Sequence, residues 1–476
     1  MTTKFYITTT IPYVNAAPHI GFALEIVQAD ILARWNRLKG KNVFFLTGTD
    51  EHGAKISQTA KQKKLPTQKF VDANAKLYQK LAKELKISND FFIRTTDKKI
   101  HWPGVLKLWE ILGKKGDIYK KSYTGLYCSG CERFVTEKDL VEGKCPDHPK
   151  LKIQKISEEN YFFKLSKYSS QIQKLIKTGK LEIFPEKWKN NFLGLAKQGL
   201  QDVSFSRDKK NVDWGIPVPS DKNQVMYVWC DALTNYLTGI GYPDAKYKKF
   251  WPADVHIVGK DMLRFHAGIW PGMLLSAGLE LPKKLIVHGF LTSEGKKMSK
   301  STGNVVSPLD LLKKYSSDAI RYYLTRNFVF GEDGDFSEQA LIDRYNNELA
   351  DKLGNLVSRV ASLIEKNGYK EDKKYRVPRI TLEGIKEVEK LIEKCQFARA
   401  LDYIFIFIDE SNKWIQDKKV WEMDIEEKKA SLYNLKKEIL KIAELLLPFI
   451  PESAEKIKKQ FSAKKIKKAE VLFKKI

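Results

Sequence analysis

A strand, a helix and a second strand within the first fifty residues commit a chain to a parallel sheet, because parallel neighbours can be joined only by a long crossover. Lys4-Phe5-Tyr6-Ile7-Thr8-Thr9-Thr10 is dense in β-branched and aromatic residues and predicts a buried strand. A turn with Pro12, Asn15 and Pro18 follows, then an apolar helical run over residues 21–38, stopped by Gly40. Asn42-Val43-Phe44-Phe45-Leu46 predicts the second strand, which ends at the polar turn Thr47-Gly48-Thr49-Asp50-Glu51-His52-Gly53. In open sheets of this kind ligands sit beyond the carboxyl ends of the strands, and both polar turns fall there. Strand signals resume at Gln224-Val225-Met226-Tyr227-Val228-Trp229, Val255-His256-Ile257-Val258-Gly259 and Lys284-Leu285-Ile286-Val287-His288, with a helical pattern over 261–277 between the last two.

Residues 116–225 break this pattern with short, turn-rich segments and four potential metal ligands, so the reading is one α/β domain interrupted by an insertion. Beyond about residue 341 strand signals stop. Tyr345, Leu349, Leu353, Leu356, Val360 and Leu363 recur every three or four positions, and three further helical stretches predict a bundle. The expected divisions are 1–115 and 226–290 for the two halves of the α/β domain, 116–225 for the insertion, 291–340 for a loop and stem region, and 341–476 for the bundle. Lys464-Lys465-Ile466-Lys467-Lys468 reads as a solvated face, and no internal repeat is present.

The 84 lysines and arginines against 58 acidic residues leave a net charge of +26, which suits a polyanionic partner through counterion release, or a proteome that simply favours lysine. No apolar stretch is long enough to span a bilayer, and Met1-Thr2-Thr3-Lys4-Phe5 lacks the apolar core of a signal peptide. Five cysteines are too few for a disulfide framework in 476 residues, so a reduced, cytoplasmic setting is expected.

Cys128-Ser-Gly-Cys131 and Cys145-Pro-Asp-His148 are separated by thirteen residues. Tetrahedral Zn²⁺ needs four soft or borderline ligands, and each tight turn can present two of them. Four protein ligands would fill the shell, which makes the expected site structural. Cys230 and Cys395 read as small apolar residues. Pro18-His19-Ile20-Gly21-Phe22 stands where a strand passes into its helix; free N–H groups and positive potential there suit a phosphate, though such a turn is often only local structure. Gly295-Lys296-Lys297-Met298-Ser299-Lys300-Ser301-Thr302-Gly303-Asn304 places lysines between glycines, either a plain surface loop or one able to close over a triphosphate.

Taken together the three motifs resemble the class I aminoacyl-tRNA synthetases, specifically the methionyl-tRNA synthetase family. His19-Ile20-Gly21-Phe22 matches the HIGH signature except at its last position, and Lys297 to Ser301 matches KMSKS in full. The likeness runs almost end to end, from Phe5-Tyr6-Ile7-Thr8 to Leu447-Pro448-Phe449-Ile450-Pro451-Glu452, and there is no room for the large editing insertion of the leucyl, isoleucyl and valyl relatives. The resemblance implies a Rossmann-type parallel-sheet catalytic domain, a zinc-binding connective insertion and an all-α anticodon-binding bundle.

The resemblance further implies a methionine pocket of Ile11, Tyr13, Trp229, Ala232, Tyr236, Met262 and His266, with Asp50 receiving the substrate ammonium. It implies that His19, Gly21, Phe22, Glu25, Gly259, Asp261, Lys297 and Lys300 bind ATP, with His19, Lys297 and Lys300 catalytic. Mg²⁺ would accompany ATP, and Zn²⁺ would sit on Cys128, Cys131, Cys145 and His148. Phe22 departs from the family pattern, which expects histidine or asparagine; it would stack on or pack below adenine while another donor serves the phosphates. Asn355 and Arg359, four apart on one helix face, would read the anticodon of tRNA(Met), with Trp421 stacking a base. Trp414 reads as buried in the bundle, and Val420 stands where the family has proline. The family's C-terminal dimerising domain is not matched, so a monomer is the default expectation. The competing readings are a silent RNA-binding homologue, argued from Phe22, and a zinc-ribbon nucleic-acid module fused to an unrelated nucleotide enzyme.

Overall fold

The computed structural model describes residues 3–129, 133–135, 137–146, 149–298, 304–371, 377–378 and 380–476, grouped in two compact units. The first unit comprises residues 1–18, 40–80 and 89–288, the second residues 19–39, 81–88 and 289–476. The first is built on six parallel strands: β1 (Lys4–Thr8), β2 (Asn42–Thr49), β3 (Phe91–Arg94), β4 (Glu182–Phe184), β5 (Val255–Gly259) and β6 (Lys284–His288), ordered β3-β2-β1-β5-β6-β4. The order reverses about β1, with β2 on one side and β5 on the other. That is the switch point where a doubly wound sheet opens a crevice beyond its carboxyl ends. Tyr6, Ile7, Phe45, Leu46, Ile257, Val258, Leu285 and Val287 are all buried, as expected of a sheet covered on both faces.

The three strands anticipated at 4–10, 42–46 and 284–288 are present, as is Val255–Gly259. Two others carry too few residues to show a period: β3 and the edge strand β4, the latter supplied from within the region read as an insertion. The run at 224–229 is a strand only in its first half. Asp221–Met226 pairs antiparallel with Ser206–Asp208, and Val228–Leu233 is helical, with Tyr227 extended at its cap. Tyr-Val-Trp has high strand propensity, but packing overrides so weak a preference, and Trp229 stands on a helix. The helical pattern over 261–277 is broken into a short 3₁₀ turn, a π-turn at Phe265–Ile269 and the helix Trp270–Ala277, in which Pro271 occupies the first turn. The insertion's own sheet centres on the hairpin Ile118–Cys128 with Gln154–Phe163.

The second unit holds the helix Ile20–Leu38, buried on nearly all sides, and the helical remainder of the chain. Its small sheet joins Leu291–Ser293 to Lys296–Lys297 and Gly334–Phe336, with Glu294 and Gly295 both at positive φ in the tight turn between the first two. After Asn355–Asn367 the described residues hold four helices rather than three: Leu382–Glu393, Phe397–Asp417, Ile425–Leu446 and Pro451–Phe461. The unexpected break falls at Cys395, whose φ of 55° ends a helix, a role its apolar character does not announce.

One buried charge knits this unit together. The Arg321 side chain is fully buried on the helix Ser317–Arg326; its Nη1 meets Asp30 Oδ2 at 2.7 Å, and it donates to the carbonyls of Phe449, Pro448 and Leu85 at 3.0, 2.6 and 3.1 Å. Asp30 also receives Arg34 Nε at 2.7 Å and the Ser88 amide at 2.7 Å. Burial alone would raise the Asp30 carboxyl, but the guanidinium groups of Arg321 and Arg34 hold it below the usual range. A depressed carboxyl adds stability above its unfolded value, about pH 4, and loses it as pH falls through the folded value. Arg321→Met should therefore cost about 3–5 kcal/mol near neutrality in chemical denaturation, and less once the pH drops below about 4.

Candidate active site

The turn after β2 is stitched to the turn after β1. Asp50 donates its amide to the Pro12 carbonyl at 2.9 Å, and its own carbonyl accepts from Val14 at 3.0 Å, so Tyr13 and Asp50 form a parallel bridge beyond the regular strands. Glu51, fully buried, anchors the next stretch of backbone. Arg94 Nε reaches Oε1 at 2.7 Å and Arg94 Nη2 reaches Oε2 at 2.9 Å, while the hydroxyls of Thr49 and Thr96 donate to the same carboxylate. Trp214 Nε1 donates to the Glu51 carbonyl at 2.6 Å and Glu51 N to Thr95 Oγ1 at 2.9 Å. The backbone on either side of Asp50 is thus held in one position, with the Asp50 side chain itself buried.

The helix Val228–Leu233 sets Trp229 and Ala232 three apart on one face. The Trp229 indole stacks on Phe265, with centroids 3.8 Å apart and planes 10° apart, and stands nearly perpendicular to the His266 ring. His266 Nδ1 lies 2.9 Å from the Met262 carbonyl, which can only accept, so that nitrogen carries a proton. In the neutral ring Nε2 then accepts from Tyr236 Oη at 2.7 Å. The Tyr236 carbonyl is in turn held by Tyr6 Oη at 2.7 Å. Behind Tyr236, at 4.3 Å between rings, stands His256; burial pushes its imidazole well below the ordinary value, which keeps it uncharged at neutral pH. Ile11, Tyr13, Trp229 and Met262 are partly buried residues packed against the first unit's large apolar core, to which Tyr236 and Phe265 belong. Phe265 belongs to the wall and was not foreseen, although it sits beside His266 in the same π-turn.

At the end of β5 the Asp261 carboxylate folds back over Gly259: a Cβ there would come within 2.8 Å of Asp261 Oδ1, so a larger residue would displace that exposed side chain. His288 closes the adjacent strand at the same level.

In the second unit, His19 caps the helix Ile20–Leu38, its Nδ1 accepting from the Gly21 amide at 3.1 Å. That bond assigns the proton of the neutral ring to Nε2 and makes the exposed imidazole a donor there. A Cβ on Gly21 would lie 2.9 Å from His19 Cε1, so the folded-back ring depends on the glycine. Phe22 and Glu25 are both buried, which places the Phe22 ring within the packing rather than on an open face. Farther along, Asn355 is exposed, and Arg359 sets its guanidinium 5.0 Å above the Trp421 ring while donating to Gln416 Oε1 at 2.9 Å. Trp421 is 39% exposed, Val420 beside it is buried, and Trp414, expected to be buried in the bundle, is half-buried.

Of the four expected metal ligands, Cys128 and Cys145 are buried together in a small cluster with Val135; Cys131 and His148 lie outside the described residues. Lys300 also lies outside them, and of Lys297 only the backbone is described.

The model of the class I tRNA synthetases (M) family matches residues 5–154 and 150–361, so the chain belongs to a class of enzymes that join amino acids to tRNA. Within that class it is a member of the methionyl-tRNA synthetase family. It is 44% identical to the methionine–tRNA ligase of Caldanaerobacter subterraneus subsp. tengcongensis, over 97% of this chain and 74% of that protein, and 38% identical to that of Brucella suis, over 95% and 91%. A solved structure of Mycobacterium tuberculosis methionyl-tRNA synthetase in complex with methionyl-adenylate superposes with a TM-score of 0.91 at 37% identity, covering 96% of this chain and 93% of that one. Its free-state counterpart gives a TM-score of 0.86 at 32% identity.

The His19 geometry is open to a direct check. By ¹⁵N NMR the neutral His19 ring should be protonated at Nε2 in the parent chain. In Gly21→Ala the Nδ1 bond should be lost and both tautomers should appear, with helix content unchanged.

Proposed function

We propose that this chain activates L-methionine with ATP, releasing pyrophosphate, and transfers the methionyl group to the 3′ end of tRNA(Met), with each residue of the site in a distinct role. The observation that carries the reading is the ring wall of Trp229, Phe265, Tyr236 and His266 in the same unit as the buried Asp50. Sulfur against aromatic edges gains about 0.3–1.5 kcal/mol per contact, and a buried carboxylate suits an ammonium group. Both ends of methionine are thereby provided for.

Asp50 binds the ammonium, and Ile11, Tyr13, Trp229, Ala232, Tyr236, Met262 and His266 surround the side chain. Gly259 and Asp261 serve the ribose, while His19 donates from Nε2 to a phosphate oxygen. Gly21 permits that pose, and Phe22 and Glu25 support the helix from within. The methionine carboxylate attacks the α-phosphorus in line. A carboxylate–phosphorus bond forms as the bond to pyrophosphate breaks, with Lys297 and Lys300 neutralising the leaving group and Mg²⁺ arriving with ATP. The terminal ribose hydroxyl of tRNA then attacks the activated carbonyl and AMP leaves. Positioning and charge stabilisation supply the acceleration.

Zn²⁺ would be held by Cys128, Cys131, Cys145 and His148, a reading supported by Cys128 and Cys145, from the two halves of the motif, being buried in one cluster. Bound there it would stabilise the insertion. Asn355, Arg359 and Trp421 read the anticodon, supported by the half-exposed indole under a guanidinium, a surface on which an unpaired base can stack. In this reading residues 1–115 and 226–290 form the catalytic domain, 116–225 the connective insertion, 291–340 the KMSKS and stem-contact region and 341–476 the anticodon-binding domain, in a monomer of the cytoplasm. No helix among the described residues is long and apolar enough to cross a membrane. The silent-homologue alternative has no support among the relatives.

Purified protein should catalyse methionine-dependent ATP–pyrophosphate exchange, and Asp50→Asn should raise the methionine KM at least tenfold; no exchange in the folded parent overturns the reading. Trp421→Ala should leave exchange intact while tRNA charging falls by about tenfold or more, since a stacked base is worth roughly 1–3 kcal/mol. Equal loss in both assays would remove Trp421 from RNA recognition.

A further inference from the structure

Another buried carboxylate of the first unit, Asp231, takes no part in these steps. Asp231 lies on the helix Val228–Leu233, two residues after Trp229 and one before Ala232. One of its oxygens is 2.6 Å from His52 Nδ1 and the other 2.7 Å from His101 Nε2. All three side chains are buried. His52 is two residues past Asp50, and His101 immediately precedes the helix Trp102–Lys114. The second nitrogen of His101, Nδ1, meets Thr238 Oγ1 at 2.8 Å. The rings of Trp102 and Trp214 flank His52 at 6.0 and 5.8 Å, and Trp214 is the residue that holds the Glu51 carbonyl.

These contacts bind two pieces of backbone with different duties. The segment carrying Asp50 is tied through His52, and the helix carrying Trp229 and Ala232 through Asp231. A carboxylate out of water tolerates little displacement from its donors, because each lost bond leaves a charged oxygen unsolvated. Two imidazoles on opposite oxygens therefore define one position for the helix relative to the strand end. Burial would raise the Asp231 carboxyl, and the two imidazoles hold it low, so it accepts from both as the ionised form.

We propose that His52, Asp231 and His101 are positioning residues that set the spacing between Asp50 and the Trp229 wall, and thereby the affinity for methionine rather than the rate of adenylate formation. The proposal rests on the reading that Asp50 and Trp229 bind methionine. Neither histidine touches ATP in this scheme, so the signature is a selective change in one substrate's KM.

Methionine-dependent ATP–pyrophosphate exchange, with each substrate varied in turn and the thermal midpoint recorded, tests it. His101→Leu should raise the methionine KM about tenfold and Thr238→Val about threefold, with the ATP KM and kcat within about twofold of the parent. His101→Gln, whose amide N–H reaches the place of Nε2, should recover most of the loss. Parallel rises in both KM values, or a defect that follows the thermal midpoint with Gln no better than Leu, overturn the proposal. Should His101→Leu fail to fold, Thr238→Val decides, because valine keeps the shape and removes one hydroxyl; an unchanged methionine KM there is a refutation. The underlying reading fails separately: an unchanged methionine KM in Asp50→Asn sinks the pocket and the proposal together, whereas a defect in Asp50→Asn beside unaltered His101→Leu and Thr238→Val sinks the positioning role alone.

Discussion

The pairing of the buried Glu51 with the half-buried Arg94 sets the geometry on which the first unit's chemistry depends. A carboxylate with no exposed surface survives only if its oxygens are met, and here Arg94, Thr49 and Thr96 meet them while Arg94 also reaches Asp72 at 2.5 Å. Such a pair adds little net stability against an apolar substitute, because desolvation offsets most of its attraction. Its effect is on precision. β2 ends at Thr49, and past that point only the Asp50 bridge to Tyr13 continues the ladder, so an anchor at the next residue adds to what holds the backbone in place. Arg94 is the last residue of β3, which makes one sheet strand the clamp for its neighbour's terminus.

The same device recurs in the second unit at a different scale. Arg321 satisfies Asp30 on the helix that His19 caps, and spends its other donors on carbonyls of Leu85, Pro448 and Phe449. Carbonyls at chain turns are the groups most costly to bury without a partner, and one guanidinium with five donors covers three of them. The bundle end and the signature helix are therefore held by a single side chain. Lysine, with a compact charge and no planar fork, could not take its place.

How much was readable in advance depends on how local each signal is. The β1–helix–β2 unit shows itself because a period of two gives way to one of 3.6 within a short span, and both polar turns announce the strand ends. The wall was legible only in outline. Trp229, Tyr236 and His266 could be named through resemblance, yet the stacking of Trp229 on Phe265 depends on a π-turn that no spacing rule reports, and on Val228–Leu233 being helical despite three strand-forming residues in a row. Glu51, Arg94, Asp231 and His101 escaped notice for a related reason. Each is an ordinary charged or polar residue in sequence, and only a tertiary property makes it consequential: burial for Glu51, Asp231 and His101, and the pairing with Glu51 for Arg94. Arg359 and Trp421, 62 positions apart in sequence, meet through bundle packing that a helical repeat alone does not specify.

The histidines show how the fold settles protonation before any ligand arrives. His19 is turned by the Gly21 amide so that Nε2 donates; His266 is turned by the Met262 carbonyl so that Nδ1 donates and Nε2 accepts. His256, buried behind Tyr236, stays uncharged because the core offers its cation no solvation. An aromatic wall backed by a neutral imidazole presents polarisable surface without a fixed positive charge, and a thioether, which carries none of its own, is matched to such a surface. In the proposed reading, the attraction for a charged group is left to the buried carboxylate of Asp50. On that reading a zwitterionic amino acid would have one orientation that places its ammonium on the carboxylate and its sulfur among the rings, and reversing it would bury the ammonium against groups that cannot solvate it.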